Sequence, residues 1–125
     1  MFKRISIEKD PFVNLDTNAL WRERANWPCN WISCPTAGKP PFVTAYHLRF
    51  TVKEDAEIRI HVTADERYDL YLDGSHVAKG SERGDANNWF YESYLLTLPA
   101  GEHVLAARVW GLGDLRPLAQ MSVNH

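Results

Sequence analysis

Tyr68-Asp69-Leu70-Tyr71-Leu72-Asp73-Gly74-Ser75-His76-Val77-Ala78 is the stretch on which the fold turns. Asp-Gly between two strand-forming runs signals a hairpin, because a tight turn needs positive φ and glycine adopts it without steric cost. Upstream, Tyr46, Leu48, Phe50 and Val52 alternate with His47, Arg49, Thr51 and Lys53. Ile58, Ile60 and Val62 alternate with Arg59, His61 and Thr63. Alternation of period two predicts half-buried strands, apolar side to the core and polar side to water. Glu54-Asp55 suits a tight connection between these two. Downstream, residues 79–88 lack apolar periodicity and read as a loop. Trp89 to Leu98 is aromatic and extended, Pro99-Ala100-Gly101-Glu102 is a turn, and His103 to Trp110 is a strand. Gly111-Leu112-Gly113-Asp114 is a further turn and Leu118 to Val123 a last strand. Six or seven short strands with turns about every ten residues predict an all-β sandwich or jelly roll, not a βαβ fold.

Residues 1–41 read differently. Asn14 to Asn26 suits a helical turn or two, capped by Asp16 or Thr17, with Leu20 and Trp21 facing inward. Pro28, Pro35, Pro40 and Pro41 then forbid long regular elements. The expected organisation is an irregular N-terminal arm over 1–41, packing through its tryptophans on a sandwich over 42–125. The chain stops close behind its last strand, as a domain cut from a longer chain would. The N-terminus lacks the apolar run of a signal peptide, and no stretch approaches transmembrane length.

A chain of 125 residues is one domain's worth and buries roughly two-thirds of its unfolded surface. Charged residues make up 24% and the formal net charge is −2, with no Lys/Arg block. That argues against nucleic acid and against an anionic membrane surface as partners. Five Trp and five Tyr supply either core anchors or flat platforms on which sugar rings stack. Cys29 and Cys34 do not form a CxxC pair, and no second pair completes a zinc site. A short-loop disulfide and two free thiols both remain open.

Asp85-Ala86-Asn87-Asn88-Trp89 is the best site candidate. Carboxylate and amide oxygens are hard ligands suited to Ca²⁺, so Asp85 and Asn88 are the candidate metal ligands. The same groups, with Asn87, hydrogen-bond adjacent sugar hydroxyls, and Trp89 offers a stacking face. The plain alternative is that Asp85, Asn87 and Asn88 only make turn hydrogen bonds. Nothing in the sequence joins Glu82, Asp85 and Glu92 into the carboxylate pair a glycosidase needs. Asp65 suits a strand-end cap on backbone N–H groups, or a partner for Arg67 or Arg108. Tyr68 and Tyr71 straddle opposite faces. His47 and His61 fall on the polar faces of neighbouring strands, as a metal pair or as two solvated side chains. No Ser-x-x-Lys, Gly-x-Ser-x-Gly or glycine-rich phosphate loop is present.

The order of several stretches carries a family resemblance. Ala64-Asp65-Glu66-Arg67-Tyr68-Asp69-Leu70-Tyr71-Leu72-Asp73-Gly74 resembles the AD-x-x-Y-x-L-Y-x-N-G pattern of the galactose-binding-like β-sandwich in bacterial α-L-rhamnosidases, glycoside hydrolase family 78. Val77-Ala78-Lys79-Gly80, Trp89-Phe90-Tyr91-Glu92-Ser93-Tyr94, Leu98 to Trp110 and Ala119-Gln120-Met121-Ser122 are also similar. Upstream, Trp31-Ile32 and Leu48-Arg49-Phe50 also fit, so that together these stretches span about three-quarters of the chain. Asp73 and His103 stand where the family has Asn. The resemblance implies a non-catalytic accessory module, since the family's catalytic carboxylates lie in a separate helical barrel. It also implies a rhamnose-containing glycan and the catalytic domain of the same parent chain as partners. Calcium in the Asp85 loop follows from it too, as does a periplasmic or secreted bacterial parent. A purely structural β-sandwich is the alternative, as is the sugar-binding domain of a β-galactosidase-like or β-mannosidase-like hydrolase.

Overall fold

The computed structural model describes residues 1–9, 29–82 and 90–115. Seven strands run in chain order: β1 (Phe2–Ile5), β2 (Phe42–Val52), β3 (Ala56–Val62), β4 (Arg67–Leu72), β5 (Ser75–Gly80), β6 (Glu92–Leu98) and β7 (Gly101–Gly111). A 3-10 turn over Gly113–Leu115 follows. Two sheets form, β1-β6-β3 and β2-β7-β4-β5, and every strand pair is antiparallel. The described residues contain no α-helix. The chain is thus all-β, two antiparallel sheets consistent with a β-sandwich.

The Asp-Gly hairpin forms as the sequence predicts. Leu72 pairs with Ser75, and Asp73 and Gly74 take φ of 49° and 81° between them. Two positive φ values in a two-residue loop match the right-handed twist of the flanking strands. Val52, Ala64, Tyr68, Leu70, Leu72, Tyr94, Leu96 and Leu98 form the core, with Ile58, Ile60, Val62, Leu105, Ala107 and Val109 packed on it. Each buried Leu contributes roughly 1.5–3 kcal/mol by leaving water. The alternation in β2 holds for Phe50 and Val52 but not for Leu48, which stays 59% exposed. β2 is the edge of the wider sheet, which has one strand more than its partner.

Two expectations need correction. The arm over 1–41 is not irregular throughout, because Phe2–Ile5 pairs with β6. Phe2 lies 4.7 Å from the Tyr94 ring, and Arg4 is the Cα partner of Tyr94, so both share the inner face. An apolar residue followed by a cation on one face hides a strand from any search for alternation. Nor are His47 and His61 on neighbouring strands. β2 and β3 belong to different sheets, and the His61 ring meets Ser93 at 2.8 Å, so the metal-pair alternative falls. Cys29 and Cys34 are free thiols. The helical turn over Asn14–Asn26 and the last strand over Leu118–Val123 lie outside the described residues.

His103 staples the two turns at one end of the sandwich. It is 6% exposed and packs against Phe50. Nε2 lies 3.0 Å from the Pro99 carbonyl and Nδ1 lies 2.8 Å from Asp73 Oδ2. Both partners are acceptors, so the arrangement is fully satisfied when both ring nitrogens carry hydrogen and favours the imidazolium. The Pro99 carbonyl and then the Asp73 carboxylate raise the His103 pKa against the opposing effect of burial. The His103 hydrogen bond and then the Val104 N–H lower that of Asp73. A raised histidine stabilises below its unfolded pKa and loses that contribution as pH rises through the folded value; a lowered aspartate loses its own as pH falls. Stability from this pair is therefore fullest between about pH 4 and 6.5. Proton NMR should titrate the His103 ring above the free-histidine value, and Asp73→Asn should move the midpoint down. An unchanged midpoint in Asp73→Asn would remove the staple.

Candidate functional site

Where the two sheets part, at the end of the sandwich reached by the start of β4 and the end of β5, a cleft of about 870 Å³ opens. β4 supplies Arg67, Tyr68 and Asp69; β5 supplies Lys79 and Gly80. Arg4, Ser81, Glu82, Glu92, Trp110 and Leu112 complete the lining. Strand alternation divides these side chains. Tyr68, Gly80 and Glu92 belong to the inner faces, whereas Arg67, Asp69, Lys79 and Trp110 belong to the outer face of the four-stranded sheet.

The floor is a buried polar cluster. Glu92 is 3% and Tyr68 1% exposed. Tyr68 Oη–H donates to Glu92 Oε2 at 2.6 Å, and the Glu82 N–H donates to Glu92 Oε1 at 2.7 Å. Tyr94 Oη lies 3.1 Å from Tyr68 Oη; with the Tyr68 proton committed to Glu92, Tyr94 donates to Tyr68. Burial, reinforced by Glu92, drives the Tyr68 hydroxyl far above the ordinary phenol value, and burial raises Tyr94 as well. Gly80 lets this cluster close. A Cβ there would stand 2.6 Å from Glu92 Oε2 and 2.7 Å from Tyr68 Cζ, nearer than real Cβ atoms come.

The walls carry charge. Arg4 and Glu82 form an exposed ion pair on the rim. Across the sheet, Lys79, Asp69 and Arg108 are successive Cα partners, and Arg67 partners Trp110 in the adjacent row. Arg108 Nη2 donates to Asp69 Oδ2 at 2.5 Å, and its guanidinium carbon lies 4.8 Å from the Trp110 ring centroid. His76 Nε2 lies 3.4 Å from Asp69 Oδ1, with its ring edge-on to Tyr71 at 5.2 Å. The Arg108 hydrogen bond, more than His76, holds the Asp69 carboxyl below the usual carboxylate range.

The far wall depends on Glu66. It is 2% exposed, and its Oε2 and Oε1 accept the N–H groups of Leu112 and Gly113, the latter at 2.9 Å. A backbone cap at this strand end is made by Glu66, the neighbour of Asp65, and Arg108 pairs with Asp69. Tyr68 and Tyr71 do straddle opposite faces, Tyr68 in the core and Tyr71 beside His76.

Asp85, Asn87, Asn88 and Trp89 lie outside the described residues, and the calcium expectation rests on two of them. Among the described residues no group of three or more His, Cys, Asp and Glu side chains is arranged to hold a metal ion. Of the acids weighed from sequence, Glu82 and Glu92 do meet. Glu92 is occupied through both oxygens, and Glu82 pairs with Arg4, which is the arrangement of a brace. Sequence reasoning passed over Arg4, Lys79 and Trp110 as site residues. The pairing of β4 with both β5 and β7 puts Lys79 and Trp110 on one face, and only the long-range register reveals it. No helix among the described residues is long and apolar enough to cross a membrane. Comparison with protein-family models, with curated proteins and with solved structures gives no match.

Proposed function

We propose that this chain is a non-catalytic carbohydrate-binding module of an α-L-rhamnosidase-like glycoside hydrolase, built on a galactose-binding-like jelly roll. The observation that supports it is the open cleft, where Trp110 sits among the hydrogen-bonding side chains of Arg67, Asp69, Lys79 and Glu82. A sugar ring presents one apolar face and a rim of hydroxyls. An aromatic wall beside exposed donors and acceptors matches both at once. Four of these lining residues, Arg67, Asp69, Lys79 and Trp110, fall in stretches that resemble the rhamnosidase sandwich. The family's catalytic domain in the same parent chain is the natural neighbour of such a module.

Titration with L-rhamnose, galactose and mannose, read by NMR shift mapping, tests this. Saturable shifts at Trp110, Lys79 and Asp69, lost in Trp110→Ala, are expected. Parallel titrations with calcium and with a chelator separate a metal-dependent site at Asp85 and Asn88 from the cleft. No response to any sugar in either condition would overturn the reading. The second reading is a structural interdomain module, favoured by the exposed apolar side chains of Ile32, Val43 and Leu48. It predicts that these residues, and no cleft residue, are protected when the rest of a parent chain is present.

A further inference from the structure

We infer that β2 is a self-association edge: two copies of the chain pair β2 against β2, antiparallel about a two-fold axis at His47, and join their four-stranded sheets into one. The inference does not depend on the carbohydrate-binding reading and adds a protein partner to it.

An edge strand offers unpaired N–H and C=O groups to any passing strand, and proteins guard such edges with charge, proline, bulges or short length. Among the described strands, β1, β3, β2 and β5 stand at sheet edges. β1 is four residues long and carries Lys3 and Arg4. β3 sets Glu57 and Arg59 among its seven residues. β5 has six residues, Lys79 among them, and a register shift against β4. β2 is guarded least. Its eleven residues pair with β7 in unbroken register from Phe42 to Val52, with no proline, no bulge, no acid and no lysine. Such a strand is about 36 Å long. Val43, Ala45, His47, Arg49 and Thr51 are all exposed on its outer face. On its inner face Leu48 is exposed between the half-buried Tyr46 and Phe50, beyond the reach of the narrower sheet.

Charge and length select the register. A parallel in-register pair sets Arg49 beside Arg49, and so does an antiparallel pair centred on that residue; like charges directly opposite destabilise a sheet. A two-fold axis at His47, the midpoint of the strand, uses the whole edge from Phe42 to Val52. Opposite residues then share a face. Ala45 faces the second copy's Arg49, and Tyr46 faces its Leu48, each pair meeting twice. Every Arg49 thus lies against a methyl group. The two guanidinium-bearing positions stand about 13 Å apart along the pair, beyond the screening length at physiological salt. The exposed Leu48 of each copy lands on the other's Tyr46, an aromatic–aliphatic pair of the kind that stabilises sheets. The gap left by the narrower sheet is closed from outside, and the open N–H and C=O groups of both edges are paired in the same step.

Sedimentation equilibrium of the whole chain reads the association, in reductant so that Cys29 and Cys34 do not couple copies. A dimer is expected at about 100 µM that dissociates toward about 1 µM, because one strand per copy makes an interface at the small end of specific ones. Ala45→Glu should tighten it roughly fivefold, since a carboxylate then faces Arg49 twice, and Ala45→Lys should weaken it by a similar factor. Leu48→Lys adds the guard that the edge lacks and should leave a monomer at about 100 µM, with the circular dichroism spectrum of the parent chain. A chain that stays monomeric to about 1 mM overturns the inference and leaves β2 to the rest of a parent chain. A dimer indifferent to all three substitutions also overturns it, because the copies then meet elsewhere. Equal effects of Ala45→Glu and Ala45→Lys overturn the pairing of Ala45 with Arg49, and with it the axis at His47.

Discussion

Glu92→Ala is expected to lower stability by about 3–5 kcal/mol, whereas Glu92→Gln should cost less than about 1.5 kcal/mol. The alanine variant strands two donors, the Tyr68 hydroxyl and the Glu82 amide, which now sit 2.6 and 2.7 Å from the carboxyl oxygens. A buried donor left without a partner costs about 1–3 kcal/mol, and the space vacated by the side chain adds to it. Glutamine keeps one acceptor for the Glu82 amide. Its NH₂ can donate to Tyr68 Oη once the hydroxyls of Tyr68 and Tyr94 reverse their order. Thermal unfolding reads the difference, since about 3 kcal/mol corresponds to roughly 10 °C in a domain of this size. Equal losses in the two variants would mean that the cluster depends on charge and not on acceptors. A loss under about 1 kcal/mol in Glu92→Ala would mean that water replaces the carboxylate.

The residues of this cluster mark the limit of what the sequence discloses. The hairpin at Asp73-Gly74 and the strands around Ile58, Leu70 and Val109 are legible because local rules write them: a turn dipeptide, and apolar side chains every second residue. Arg4, Glu92 and His103 occupy inner-face positions and break that rule, so each makes its stretch harder to read. Glu92 and His103 are buried there because partners arrive from far along the chain, Tyr68 for Glu92 and Asp73 for His103, while Arg4 reaches out to the rim and pairs with Glu82. Those pairings follow from strand order, and strand order is a global property. The cleft illustrates the same point. Its wall joins residues of β4, β5 and β7, which no motif spacing connects. The stretch 85–89 stands out in the sequence because its residue types suit a site; Lys79 and Trp110 do not, since a lone lysine and a strand-end tryptophan are ordinary in any sandwich.

Glu66→Ala is expected to cost about 2–4 kcal/mol, and to weaken sugar binding at the cleft by a separate route. Glu66 immediately precedes β4, yet its carboxylate serves residues 46 and 47 positions later, the amides of Leu112 and Gly113. Those amides follow the end of β7, where the strand ladder no longer supplies acceptors, and the Gly113 bond is buried. Each amide would lose its acceptor in the alanine variant, and Leu112 would lose the anchor that sets it against the cleft. Hydrogen exchange at these two amides should therefore accelerate more than at core amides such as Leu70, and Tm should fall. Glu66→Gln should lie between, because one amide oxygen still accepts while the NH₂ faces a second donor. Sugar affinity should fall with the exchange protection of Leu112 across the three proteins. If protection at Leu112 and Gly113 is unchanged in Glu66→Ala, the wall is held by something other than this carboxylate. If protection falls while affinity holds, Leu112 is no part of the binding surface, and recognition belongs to the row from Lys79 to Trp110.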